Sequence, residues 1–211
     1  MSPDTFGNLL IVGTNMGRKR RAPTGIYDQN ILCRECDNRL GEYDDYGLTF
    51  STSQALVDHP SLVGWSASEV DQQKLKLFCM SYIWRASITD RPEFKGVALG
   101  EKHELALKNM IKDGNAGSVD DFSTIISKFN NNNENYGAIL FPAKTRLGSI
   151  RYYEGFMPYL YKFWIKIDSQ VDQGMRAISL GSTDPLFVAD KGDFHTSKEK
   201  HIMWRAAKVS N

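Results

Sequence analysis

The spacing of apolar residues along this chain changes from helical in its first half to alternating in its second. Residues 8–12, NLLIV, are a short apolar run ended by Gly13, which predicts a buried strand, and the polar, basic stretch to Thr24 predicts an exposed loop. From Ser68 to about Ser87 the stripe Leu75, Phe78, Cys79, Tyr82 predicts a helix, with Ser68 as cap and Glu69 and Asp71 in its first turn. Leu77, Met80, Ile83 and Trp84 make that segment apolar on most sides, so it is the expected central buried helix. Residues 101–112 predict a second helix, with Leu107, Met110 and Ile111 as its stripe and Gly114 as its stop.

The asparagine-rich FNNNNENYG at 129–137 disfavours helix and predicts a surface loop. Beyond it, YGAILF at 136–141 and LYKFWIKID at 160–168 read as strands. The latter sets Tyr161, Phe163, Ile165 and Ile167 on one face and Lys162, Lys166 and Asp168 on the other. Short strands are expected at 146–153, 176–180 and 185–189. A closing helix is expected from Ser197 to Lys208, with Ile202, Met203 and Ala206 on one side. This order predicts one α+β domain over 1–211 rather than a doubly wound fold: a knuckle-bearing segment at 1–50, central buried helices at 68–113, a mostly antiparallel sheet at 136–190 and a terminal helix at 195–208.

Composition agrees with a globular domain: 211 residues, 41% hydrophobic and 24% charged, enough to bury roughly two-thirds of the unfolded surface. No apolar run approaches the ~20 residues that cross a bilayer, and the N-terminus lacks the pattern of a secretory signal, so no membrane span and a cytoplasmic location are expected. The 26 basic residues nearly cancel the 25 acidic ones, which argues against coating nucleic acid by bulk charge. The charge is nevertheless uneven. Arg18, Lys19, Arg20 and Arg21 form a basic block that can grip phosphates, with a solvated loop as the alternative.

Three cysteines do not make a disulfide framework, and the spacing of Cys33 and Cys36 points to metal or redox chemistry. In CRECDNRLG the residues Asp37, Asn38 and Gly41 favour a tight turn, in which two thiolates reach one tetrahedral zinc ion. Two thiolates are half a site. Candidates to complete it are His59, nearest in sequence, then Cys79, His103, His195 and His201, with Asp28, Asp37 or Asp44 as weaker options. A redox pair would follow a strand and open a helix that lowers the thiol pKa; the acidic, turn-rich segment expected here speaks against it.

The strings GIYDQNILCRECDNRLGEYDDYG, KLFCMSYIWRASIT and VALGEKHE, over about residues 16–113, resemble uncharacterised prokaryotic zinc-knuckle proteins related to the HNH endonucleases. The resemblance implies that Cys33 and Cys36 are the second cysteine pair of a treble-clef-like structural zinc site. An earlier Cys-x-x-Cys and a His-Ile-Ile-Pro-like segment normally precede that pair, and neither is present, as in a shortened relative or a chain with a misplaced start. Metal-dependent nuclease chemistry needs a general-base histidine and a divalent metal such as Mg²⁺ on the scissile phosphate, and no histidine precedes the pair.

Other features have two readings each. EYDDY at 42–46 holds three carboxylates that suit Mg²⁺ or an exposed acidic turn. Trp84 with Arg85 reads as a functional pair or as a core Trp with a helix-capping Arg. The aromatics Tyr152, Tyr153, Phe156, Tyr159, Tyr161, Phe163 and Trp164 suit base stacking, a partner interface or the core. No phosphate-binding loop, nucleophile elbow or dinucleotide fingerprint is present. Two function classes follow: an HNH-related, nucleic-acid-associated protein that is a catalytically incomplete nuclease or a non-catalytic derivative, or a protein-interaction module of a defence or mobile-element cassette with a purely structural knuckle.

Overall fold

Where a turn is expected after Cys33, the backbone forms a helix of 20 residues, α1 (Arg34–Ser53). The computed structural model describes residues 28, 31–131 and 140–202, and the backbone alone at 10–11 and 20–21. Cys33 is the N-cap of α1: it is extended, and its Sγ accepts the Cys36 N–H at 3.4 Å. Glu35 and Asp37 in the first turn complement the dipole, and Leu40, Tyr43, Gly47 and Phe50 supply a buried stripe at helical spacing. That stripe outweighs the turn preference of Asp37, Asn38 and Gly41 read from the sequence.

Helix α2 (Gln72–Ile88) is the central element, buried on nearly all sides between α1 and α3 (Glu101–Asp113). Its cap is Asp71, whose Oδ1 accepts the Lys74 N–H at 2.9 Å, and not Ser68. The expected first turn is unavailable because residues just before Ser68 are held in a strand and Glu69 takes φ +58°. Gly47 is where α1 meets α2: a Cβ there would lie 2.6 Å from the Phe78 ring, so the close approach requires glycine. Helix α3 ends as expected on Gly114, left-handed at φ 64°, whose N–H returns to Ile111 O.

The short strands β1 (Leu10–Ile11) and β2 (Arg20–Arg21) pair antiparallel with each other. The remaining strands are β3 (Val57–Asp58), β4 (Gly64–Ala67), β5 (Thr124–Lys128), β6 (Ala143–Leu147), β7 (Ile150–Phe156), β8 (Tyr161–Lys166) and β9 (Leu186–Asp190). They form one sheet in the order β3-β4-β9-β5-β8-β7-β6, antiparallel except for the β5–β9 pair. The expected mixed α+β class with a mostly antiparallel sheet is therefore present. The expected strand at 146–153 is instead a hairpin turning at Gly148, and of 176–180 the first residue ends the short helix α4 (Gln173–Arg176) and 177–180 are turn. Of the strand expected at 136–141, residues 136–139 lie outside the described residues and 140–141 are irregular. The closing helix is present at 198–202; its expected continuation to 208 lies outside the described residues.

Tyr153, Phe163, Ile165 and Val188 face the helices and form the core with them. Phe163 lies across from Gly155, where any Cβ would overlap its ring. The second face of β8, which carries Lys162 and Lys166, is covered as well. Lys162 is fully buried, its Nζ 2.6 Å from Glu154 Oε2 and 2.8 Å from Glu199 Oε1, between the rings of Phe156 and Trp164. Lys166 donates to Gln170 O at 2.9 Å. Glu199 belongs to the turn of helix at 198–202, so this ion pair seats the end of the described chain on the sheet.

Alanine exceeds glycine in helix propensity by about 1 kcal/mol, yet Gly47→Ala is expected to destabilise the fold by about 1–3 kcal/mol through overlap with Phe78. Urea denaturation measures this, and a gain in stability would mean that the α1–α2 crossing is loose. A second expectation concerns pH. Burial alone would raise the Glu199 carboxyl, but the hydrogen bond and charge of Lys162 outweigh it and hold it below the usual range. A folded value below the unfolded one gives stability that is present above about pH 4.3 and lost as pH falls through the folded value. In Lys162→Met the Glu199 carboxylate is left buried without its cation and protonation relieves it, so the stability gap between wild type and variant should shrink from pH 7 to pH 4. A gap that widens on acidification would contradict the ion-pair assignment.

Candidate functional site

The first turn of α1 brings two thiols together at the surface. Cys33 and Cys36 are free and exposed, and the Asp37 N–H donates to Cys33 O at 2.9 Å to close the turn. The Cys36 backbone N–H, and then the Cys36 thiol, hold the Cys33 thiol below its ordinary pKa. Cys36, as donor to Cys33, is pushed up. A helix opening at the pair removes one of the two objections to a redox role; no strand precedes it at 31–33, and the Glu35 charge disfavours the Cys36 thiolate.

His59 does not join them. It stands in the β3–β4 turn, beyond the far end of a helix about 30 Å long, where its Nδ1 accepts the N–H groups of Ser61 and Leu62 and its ring meets Phe187 edge-on. Among the described residues no three His, Cys, Asp or Glu side chains gather as a metal site requires. Every cysteine and histidine of the chain lies among those residues. The donor set therefore fits half of a tetrahedral zinc site, and the expected set Cys33, Cys36 and His59 is not assembled. Cys79 is buried, and burial pushes its thiol well up. His103 faces the Phe122 ring, and His195 Nδ1 lies 2.8 Å from Lys200 Nζ.

The acidic stretch 42–46 is helix, not turn, and its carboxylates diverge. Asp44 accepts both Nη groups of Arg85, at 2.5 and 2.8 Å, while Glu42 and Asp45 are exposed. Arg85 thus ties α2 to α1 and is not primarily a C-terminal cap. Tyr46 Oη accepts the Asp71 N–H at 2.6 Å, a second tie between the two helices. The Mg²⁺ reading of this cluster finds no grouping among the described residues.

Beside the thiols lies a cavity of about 360 Å³, between α1, α2 and the β7–β8 turn. Leu32 and Asp37, which bracket the cysteine pair in sequence, line it together with Phe78, Tyr82, Phe94 and Phe156. Asp44, Arg85 and Arg91 supply its polar rim, and Asp28 accepts the Thr89 hydroxyl. Burial pushes the Tyr82 phenol up to about 12. A smaller cavity of about 150 Å³ is lined by Lys76, whose Nζ donates to Ser118 O at 2.6 Å; burial lowers that amine to about 8.

Of the basic block, Arg18 and Lys19 lie outside the described residues, while the backbone of Arg20 and Arg21 is strand β2. The aromatic-rich sheet is mostly interior: Tyr152, Tyr153, Tyr161 and Phe163 are buried, and Tyr153 Oη bonds both the N–H and the C=O of Ala98. Sequence reasoning missed the helix carrying the thiols, although Leu40, Tyr43, Gly47 and Phe50 mark its stripe. It missed the cavity because five separate segments build it.

No helix among the described residues is long and apolar enough to cross a membrane. The chain matches no family model, no curated protein and no solved structure.

The unequal thiols carry a prediction. Iodoacetamide at neutral pH is expected to label Cys33 ahead of Cys36 and to leave Cys79 unmodified in the folded protein, as read by peptide mass mapping. Equal labelling of Cys33 and Cys36 would contradict the N-cap hydrogen bond.

Proposed function

We propose that this protein is a nucleic-acid-associated module of the HNH-related type, held to zinc through Cys33 and Cys36 and not catalytic by itself. The observation that supports it is the placement of both thiols side by side in the exposed first turn of a long helix. Two positions so placed suit one tetrahedral ion, whose remaining sulfur or nitrogen ligands have to come from a second copy or from another polypeptide segment. A paired strand containing Arg20 and Arg21 precedes that helix, which is consistent with a hairpin-then-helix unit contacting phosphate. Among the described residues no imidazole is grouped with carboxylates as a metal-dependent nuclease needs, and this reading therefore includes no cleavage.

The alternative, a protein-interaction module with a structural knuckle, shares the zinc and differs in nucleic-acid binding. Purified full chain should therefore carry zinc that is lost in Cys33→Ser with Cys36→Ser. It should also bind duplex DNA with an affinity that falls steeply with salt and drops in Arg20→Ala with Arg21→Ala. Zinc without salt-dependent DNA binding would favour the interaction module, and absence of zinc from wild type would contradict both.

A further inference from the structure

The cavity beside α1 has the shape of a small-molecule site and an electrostatic imbalance of one sign. Its volume, about 360 Å³, lies at the lower end of the roughly 300–1,000 Å³ of ligand pockets. Apolar walls come from Leu48, Phe78, Phe94, Phe156 and Met157. Three carboxylates, Asp28, Asp37 and Asp44, and two guanidiniums, Arg85 and Arg91, line it. Arg85 is bound at both nitrogens by Asp44, and Arg91 lies 3.4 Å from Glu93, a carboxylate whose side chain is fully buried. The carboxylate of Asp37 makes no hydrogen bond or ion pair with the described residues.

Arg85 is already held at both Nη groups by Asp44, and the lining carries one carboxylate more than it has guanidiniums, so its charge favours a cation over an anion. A cation meets Asp37 without displacing anything, and its apolar stem meets the apolar walls. We propose that this cavity binds a small organic cation, an ammonium on an apolar stem, with Asp37 as its counter-ion and Phe78, Phe94 and Phe156 as its walls. The proposal stands on the cavity alone and is independent of zinc or nucleic acid.

The test is calorimetric titration of the full chain with three probes of one shape and different charge: tryptamine, tryptophol and indole-3-propionate. Tryptamine is expected to bind at least about tenfold more tightly than the neutral alcohol, with the carboxylate weakest. Asp37→Asn should reduce tryptamine to the affinity of the alcohol, while Asp58→Asn, exposed on the edge strand β3, should leave it unchanged. Circular dichroism of both variants checks that the fold is kept. Equal affinity for the three probes, no binding of tryptamine at millimolar concentration, or an unchanged tryptamine affinity in Asp37→Asn would each overturn the proposal.

Discussion

Two glycines facing two aromatic rings fix how the helices sit on the sheet. Gly47 of α1 lies against the Phe78 ring of α2, the Phe78 ring meets that of Phe163 on β8 edge-on at 6.3 Å, and Phe163 lies over Gly155 of β7. At each end of this column a methyl group would overlap a ring, so the separation of the layers is set by van der Waals contact and not by adjustable side chains. The Asp44–Arg85 pair and the Tyr46–Asp71 hydrogen bond then fix the rotation of α1 about that column. Both candidate sites inherit their geometry from it. The thiols project from the free first turn of α1, and the cavity is the space left between α1, from Asp37 to Leu48, and α2, with Phe78 as a shared wall.

The parts of the fold that were legible in the sequence are those whose burial is one-sided and local. Helix α3 shows a narrow stripe and a glycine stop, and α2 is so thoroughly apolar that only its cap was misplaced, from Ser68 to Asp71. Strands β8 and β9 lie where alternation and a short apolar run put them. Helix α1 was not read because Asp37, Asn38 and Gly41 are turn formers when considered singly, whereas the stripe from Leu40 to Phe50 decides the outcome when the segment can bury it. The burial of Lys162 depends on Glu154 and on Glu199, one across a strand pair and the other 37 residues away, and period-two patterning carries no information about either.

The candidate site divides in the same manner. Two cysteines three apart are visible in any sequence, and so was the chemistry they suit. What changes in three dimensions is their setting: a helix cap gives the two thiols unlike acidities and keeps both at the surface, and the histidine nearest in sequence stands beyond the opposite end of that helix. The cavity had no sequence signature, since its walls come from the approach to α1, from α1 and α2, from the residues around Phe94 and from the β7–β8 turn.

Both candidate sites require α1 to be capped at Cys33 and locked against α2. Amide hydrogen exchange across residues 34–53 tests this most directly. The predicted result is slow exchange from about Leu40 to Phe50, rising and falling together with the amides of α2. Exchange at unprotected rates through 34–46 while α2 stays protected would contradict it, and would return the cysteine pair to a turn.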